Sequence, residues 1–405
     1  MYIPIVIAIL FAIYITNSVL IEHKHSHLVL KEFEHRIHVN GIRGKSTVTR
    51  LIAASLREGG INTLGKTTGS AARLVIGHRK DIEIPRTEAD IAEQKQIIDM
   101  YKGQGYRAIV FECMAINPIY QKYLEEKIMH STIGVITNIR EDHMDMLGQT
   151  LPEIARSLCA TIPKNGHLIT AETNPKLLTI LRKECKRRNT KFHAVGSMRI
   201  GDKQMSKFDH FEYKSNVAIA IKVAQLTGIK RSTALNGMHK AQPDPGAFAL
   251  KKIIKHKKTI HWANLFAIND SESFIMTSKA LRTKVGDKTT RAVILNNRYD
   301  RPDRVSQFAN IAVKSIGADY IFAFGDYEKN VIKEVAKLTR KRKNKNVVVV
   351  SMGNESMHSE LAGTKLLKVI SKAIVEDEFL LLGSVNIHTK QSQALLKFLE
   401  KNHAH

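Results

Sequence analysis

Asn40-Gly41-Ile42-Arg43-Gly44-Lys45-Ser46-Thr47 carries the strongest chemistry in the chain. Two glycines let a backbone close around phosphate oxygens, and the lysine offers a point charge to the β- and γ-phosphates of a nucleotide such as ATP. The Ser46 hydroxyl is a hard oxygen of the kind Mg²⁺ takes. Gly41, Arg43, Gly44, Lys45, Ser46 and Thr47 are therefore the cofactor-binding candidates. Only two residues separate the glycines, fewer than in G-x-x-x-x-G-K-[ST], so the flanks decide. An apolar run at 37–39 precedes the loop and an amphipathic pattern opens near Thr47, which is the strand–loop–helix setting that gathers backbone N–H groups on an anion.

Such a loop needs acidic or imidazole partners for its metal. Glu112 ends the apolar run 108–111, and Asn138-Ile139-Arg140-Glu141-Asp142-His143-Met144-Asp145 follows the apolar run 133–137. Both motifs fall at carboxyl ends of expected parallel strands, where open α/β sheets bind ligands.

The elements that must position these groups read as an alternation. Strands are expected at 37–40, 108–112, 133–138, 168–170 and 191–195, with helices at 47–58, 89–103, 151–161 and 214–228. This is the pattern of a doubly wound, mostly parallel α/β sheet. Gln242-Pro243-Asp244-Pro245-Gly246 breaks it, since two prolines and a glycine in five residues cannot sit in a helix interior. A second series follows, with strands at 259–263, 291–296, 320–324, 347–351 and 379–382 and helices at 272–284, 304–316, 328–340 and 363–375. The expected fold is α/β: a P-loop-containing doubly wound sheet plus a smaller Rossmann-like C-terminal domain, preceded by one transmembrane helix. The expected domains are an anchor at 1–21, a juxtamembrane segment at 22–35, an ATP-binding domain at 36–241, a hinge at 242–250 and a C-terminal domain at 251–405.

The 405 residues are 43% hydrophobic and 25% charged, which excludes wholesale disorder, and three cysteines without C-x-x-C spacing exclude a disulfide scaffold. Sixty-three Lys plus Arg against 38 Asp plus Glu leave a net charge of +25, a surface that attracts polyanions. The run Arg340-Lys341-Arg342-Lys343-Asn344-Lys345 has no interleaved aromatics, so it reads as a solvated helix end and not as a nucleic-acid site. Residues 1–21 hold no charged side chain, and at about 1.5 Å per residue they would span a bilayer core as a helix. His23, Lys24, His25, His27, Lys31, His35 and Arg36 follow at once, which by the positive-inside rule puts the rest of the chain on the cytoplasmic side of a cell membrane.

Gly41-x-x-Gly44-Lys45-Ser46-Thr47, Thr67-Thr68-Gly69, Glu112 and Asn138-x-x-Glu141-Asp142-His143-Met144-Asp145 together resemble the Mur ligase superfamily of ATP-dependent amide ligases. Glu112-Cys113-Met114-Ala115, Pro243-Asp244-Pro245-Gly246-Ala247 and Asn297-Arg298-x-Asp300-Arg301-x-Asp303-Arg304 narrow the resemblance to the poly-γ-glutamate synthase ligase subunit of bacterial capsules. The resemblance implies that a chain-terminal carboxylate takes the γ-phosphate of ATP and that the amine of glutamate then attacks the acyl phosphate. It also implies catalytic roles for Lys45, Glu112, His143 and Arg301. Ser46 and Glu112 would hold one Mg²⁺ and His143 a second. Asn216 and Arg298 would contact the nucleotide, and Thr67, Thr68, Gly69, Asp270 and Arg304 the substrates. Glu141, Asp142 and Asp145 are the candidate bases for the incoming amine. The implied partners are glutamate, the poly-γ-glutamate chain, small membrane subunits of the capsule system and an anionic membrane surface, with no nucleic acid.

Two positions depart from the superfamily. Leu158 falls near the place of a carbamylated lysine, so a second metal must use other ligands or water. Ala247 stands where many members carry an arginine, a contact that Arg298 or Arg301 would have to supply. Only the nineteen residues 22–40 separate Ile21 from Gly41, too few for a nucleotide-sugar-binding domain. Three rival readings remain at this level: a membrane-tethered P-loop ATPase energising polymer export, a folylpolyglutamate-type ligase, and a non-enzymatic basic membrane scaffold for nucleic acid or polymer.

Overall fold

Short apolar runs in the first half of the chain become the inner strands of one sheet. A computed structural model describes residues 11, 30–68, 72–77, 81–85, 90–196, 200–208, 212–243, 250–266, 268, 271–300, 302–340, 347–352, 362–384 and 389–401. The chain divides into two units, Met1–Ala247 and Phe248–His405.

In the first unit the strands are β1 (His35–Asn40), β2 (Thr63–Thr67), β3 (Arg73–Val75), β4 (Asp81–Glu83), β5 (Ala108–Glu112), β6 (Ile133–Ile136), β7 (His167–Thr170) and β8 (Lys191–Ala194). Their order is β4-β3-β2-β5-β1-β6-β7-β8, parallel except that β3 pairs antiparallel with both β2 and β4. β5 and β6 are buried along their whole length, which explains their unbroken apolar sequence. The helices are α1 (Lys45–Glu58), α2 (Ala92–Tyr101), α3 (Pro118–Tyr123), α4 (Met144–Leu147), α5 (Leu151–Leu158), α6 (Pro175–Arg187), α7 (Asp202–Met205), α8 (Lys214–Leu226) and α9 (Arg231–Lys240).

Helix α1 is the axle of this unit. Residues 48–56 are all buried, since the helix packs on the sheet and also carries α8 and α9. The approach of α9 requires Gly237, where an added Cβ would stand 2.4 Å from the Ala54 carbonyl oxygen. α1 starts at Lys45, two residues earlier than its sequence pattern indicates, because Gly44 at φ 79° turns the chain into the helix. Helix α5 begins at a capping box: Thr150 accepts from the Glu153 N–H and the Glu153 carboxylate accepts from the Thr150 N–H.

In the second unit the strands are β9 (Leu250–Lys255), β10 (Lys258–Asn264), β11 (Thr290–Asn297), β12 (Tyr320–Gly325), β13 (Val348–Ser351) and β14 (Glu378–Ser384), in the order β13-β12-β11-β14-β10-β9. All pair in parallel except β9, which forms a hairpin with β10. The helices are α10 (Ser271–Val285), α11 (Asp303–Asn310), α12 (Glu328–Arg340), α13 (Ala362–Ala373) and α14 (Lys390–Lys401). The helix expected at 304–316 is α-helical only to Asn310. A π-helical turn, Ile311–Ile316, completes it and closes on Gly317 at φ 68°.

The expected transmembrane anchor, and with it the membrane localisation, is corrected. Among the described residues no helix is long and apolar enough to cross a membrane. The longest, α10, has 15 residues and carries Glu272, Lys279, Arg282 and Lys284. Its reach is about 22 Å against the roughly 30 Å of a bilayer core. Residues 1–10 and 12–29, on which the anchor and most of the juxtamembrane segment were read, lie outside the described residues.

Candidate active site

The phosphate loop emerges at the middle of the first sheet. β1 leads through α1 toward β2 on one side, while its neighbour β6 leads to β7 on the other, so the loop sits where the connections diverge. Its frame is built from the two strand ends. Asn40 donates from Nδ2 to Gln121 Oε1 at 2.9 Å and Thr161 Oγ1 at 3.1 Å, and accepts from the Gly41 N–H on Oδ1 at 2.8 Å. Asn138 accepts from the Arg43 N–H at 3.1 Å and donates back to the Arg43 carbonyl at 3.0 Å. Thr137 donates to the same carbonyl at 2.7 Å. Gly41 has φ +123°, and a Cβ on it would fall 2.1 Å from Thr137 Oγ1, so only glycine fits this approach.

Helix α1 has no side-chain N-cap and no acid in its first turn, which leaves its first N–H groups turned to the loop. Lys45 donates from Nζ to the Gly41 carbonyl at 3.0 Å. Ser46 Oγ donates to Glu112 Oε2 at 2.8 Å, and the Thr68 N–H reaches the same oxygen at 2.8 Å. Glu112 is buried, and Gln94 fixes its carbonyl at 2.8 Å. The buried Thr67 hydroxyl beside it has no hydrogen-bond partner among the described residues. Ser46 and Glu112 thus form an oxygen-donor pair suited to a hard cation.

Asn216, in the first turn of α8, lies over the loop, where a Cβ on Gly44 would stand 3.0 Å from its Oδ1. It donates to Glu212 at 2.8 Å. The acidic motif after β6 is tied to the loop through Arg43, whose guanidinium pairs with Asp142 at 3.0 Å. Glu172 accepts from the Ile139 N–H at 3.1 Å and holds this turn. His143 sits at φ 46° with its side chain 47% exposed, next to exposed Glu141 and Asp145. Among the described residues no three His, Cys, Asp or Glu side chains gather into a metal cluster, so Glu112 and His143 do not share one.

In the second unit, Arg298 is clasped by Asp300 with contacts of 2.9 and 3.0 Å, the Asp–Arg pairing that a structural role would give. Arg304 lies half-buried in α11. Gly69, Asp270 and Arg301 lie outside the described residues, as do 244–249 of the hinge.

Several supporting groups escape sequence reasoning. Asn138 is visible in the motif, but its clamp on Arg43 is not. His38, fully buried in β1, places Nδ1 2.8 Å from Glu125 Oε2. Burial opposes a charge on this ring, yet its interactions with Cys113 and Glu125 raise it to about 10. Glu125 also accepts from the Ser131 N–H and hydroxyl at 2.9 and 2.7 Å. The Cys113 N–H donates to the Val39 carbonyl at 2.8 Å, so this cluster props the strand end that presents Glu112.

A phosphate loop at the centre of a mostly parallel sheet, with a buried glutamate facing its serine, defines a P-loop nucleotide-binding α/β protein. The fold agrees with that of Escherichia coli FolC in complex with ADP: the TM-score is 0.61 at 13% identity, covering 94% of this chain and 93% of that one. The Mur ligase middle domain matches residues 39–242, and the C-terminal domain of poly-gamma-glutamate synthase CapB matches residues 250–402. PGA synthase CapB of Bacillus subtilis (strain 168) is 40% identical over 302 residues, 74% of this chain and 76% of the relative. The capsule biosynthesis protein CapB of Bacillus anthracis is 37% identical over 72% of this chain and 63% of its own. The chain belongs to the Mur ligase superfamily and, within it, to the poly-γ-glutamate synthase CapB family.

Proposed function

We propose that this chain is the ATP-dependent ligase that adds glutamate to a growing poly-γ-glutamate chain in capsule synthesis. The observation that carries the reading is the Ser46–Glu112 pair at the phosphate loop, in a chain of this family. In the reaction, an oxygen of the chain-terminal carboxylate bonds to the γ-phosphorus of ATP as the bond to ADP breaks. The amine of an incoming glutamate then attacks the acyl carbon and loses a proton, and phosphate leaves with the oxygen it gained.

Two anions must meet for this, so positioned positive charge and N–H donors supply most of the catalysis. Lys45 is assigned to the β- and γ-phosphates, and the loop N–H groups with Arg43, Gly44 and Thr47 align them. Ser46 and Glu112 fit Mg²⁺, which when bound neutralises phosphate charge. His143 is assigned to a second cation near the acceptor carboxylate, and Asn216 to adenine. Thr67, Thr68 and Gly69 are assigned to the acceptor. Arg301 and Arg304 bind phosphate or carboxylate in this reading, Arg298 joins them at the nucleotide on exchanging Asp300 for phosphate, and Asp270 binds the substrate. Asp142 is held by Arg43, which leaves Glu141 and Asp145 to take the proton from the amine. Accessory subunits of the same capsule system are the partners the reading implies.

The test supplies the chain and its capsule partners with Mg-ATP and labelled glutamate, with Lys45→Ala as control. Label in an alkali-stable polyanion with matched ADP and phosphate is expected, and Lys45→Ala should lose at least about a hundredfold in rate. ADP and phosphate without polymer would instead mean an ATPase. AMP and pyrophosphate would mean adenylation and would overturn the acyl-phosphate mechanism.

A further inference from the structure

The first unit carries a second basic feature, set apart from the residues assigned above. Helix α3, the end of α5 with the 3-10 turn Cys159–Thr161, and helix α6 enclose a groove of about 1030 Å³. Among the described residues its lining holds six basic side chains, Lys122, Arg156, Lys183, Lys186, Arg187 and Arg188, and a single acid, Glu184. That acid is already engaged. Arg187 donates to it from Nε at 2.8 Å and Arg188 from Nε at 2.6 Å, and these guanidiniums, Arg187 foremost, hold its carboxyl down to about 2. Lys122, Arg156, Lys183 and Lys186 are left with no carboxylate at ion-pair distance among the described residues, and all four are exposed. A solvated helix face normally intersperses both signs, so a concave surface this one-sided is built for an anion.

Three further observations narrow the anion. The groove also has apolar lining, including Ile119, which is 74% exposed, and Ile180. Among the described residues none of the lining is aromatic, so bases have nothing to stack on and a nucleic acid is disfavoured. The walls are also joined to the phosphate loop: Gln121 of α3 and Thr161 of the 3-10 turn both bind the Nδ2 of Asn40, the residue that opens the loop. A γ-linked polyglutamate chain alternates one α-carboxylate with two backbone methylenes per residue, which matches cations set among apolar surface.

We propose that this groove binds the already-polymerised segment of the poly-γ-glutamate chain through its α-carboxylates, so that the polymer stays attached between additions. The identity of the polymer rests on the ligase reading; the groove itself does not.

Binding is measured on the full chain without ATP, by fluorescence anisotropy of a labelled long γ-glutamyl oligomer and a γ-glutamyl dimer. The variants are Lys122→Glu/Arg156→Glu/Lys183→Glu and its neutral counterpart with Gln at the same positions, both checked for wild-type unfolding temperature. Charge reversal is expected to weaken the long oligomer by about tenfold or more, the Gln variant by less, and the dimer hardly at all. In the polymerisation assay the reversed variant is expected to release shorter chains. Unchanged affinity for the long oligomer in the reversed variant would overturn the proposal. So would competition by a single-stranded oligonucleotide of equal charge at equal strength. Groove-dependent binding in a protein that makes no polymer would sink the ligase reading alone, whereas normal polymer length with a reversed groove would sink the groove alone.

Discussion

His38 is the residue whose surroundings make the sharpest claim. A histidine with no exposed surface gains Glu125 on one nitrogen and interacts with Cys113, with Arg36 near the same glutamate. Its ring is raised to about 10 from an ordinary value near 6.5. A group raised in the folded state binds its proton more tightly there than in the unfolded chain. Its stabilisation is therefore complete below about pH 6.5 and is lost as pH climbs through about 10. Urea unfolding of wild type and His38→Gln across that range should show a stability gap that narrows steadily with rising pH. A gap that stays flat would mean the ring is neutral throughout. This cluster was not legible in the sequence, because His38 and Glu125 lie 87 positions apart, His38 as a lone polar residue between Ile37 and Val39 and Glu125 as one of three consecutive charged residues, Glu125-Glu126-Lys127. The phosphate loop was legible because its chemistry is local: Gly41, Gly44, Lys45 and Ser46 are neighbours in sequence. The clamp of Thr137 and Asn138 on Arg43 joins two strand ends, and no spacing rule reaches it.

Among the elements, the inner strands announced themselves and the edges did not. β5 and β6 are buried on both faces and so appear as plain apolar runs. β3 and β4 have three residues each, shorter than any periodic pattern. β9 reads Leu-Lys-Lys-Ile-Ile-Lys, and its hairpin turns on His256 and Lys257 with φ of 52° and 60° in place of the usual Asn-Gly, so charge masked both strand and turn. Besides the apolar cluster of Leu64, Leu74, Ile97, Ile98, Ile109 and Phe111, the elements around β2 are tied by ion pairs. Lys66 on β2 has no exposed surface and pairs at 2.7 Å with Glu93 on α2, while Arg50 on α1 pairs at 2.6 Å with Asp81 on β4. Removing one partner of a buried pair strands the other charge, at about 3–5 kcal/mol, whereas replacing both with apolar groups is close to neutral. Glu93→Gln should accordingly lower the unfolding free energy by about 3 kcal/mol, and Lys66→Met with Glu93→Met should recover most of that loss in the same urea titration. A double variant as unstable as the single one would show that Lys66 is needed for its own contacts and not for the pair.

At the scale of the whole molecule, composition spoke first and least specifically. A net charge of +25 was plain from the sequence, but the crowding of unpaired cations into one groove of the first unit was not, because α3, α5 and α6 are far apart in the chain. The apolar N-terminal run was equally plain, yet length and hydropathy alone led to a membrane span that the described helices do not contain. The charge still has a measurable consequence. Every reactant in the proposed reaction is an anion: ATP, glutamate, and an acceptor that gains one carboxylate with each addition. A strongly positive molecule raises the encounter rate of such partners by about tenfold to a thousandfold at low salt, and the gain fades as the screening length falls below about 10 Å near 0.1 M. The expected result is that kcat/KM for a long γ-glutamyl acceptor drops by about tenfold between roughly 0.05 and 0.3 M salt, more steeply than for a short acceptor, while kcat at saturation changes little. The steeper slope for the longer acceptor is the discriminating feature, since a general effect of salt on folding or on ATP would lower both acceptors alike. Equal slopes would mean that the +25 serves solubility or some other partner, and that the acceptor is recognised at its reacting end alone.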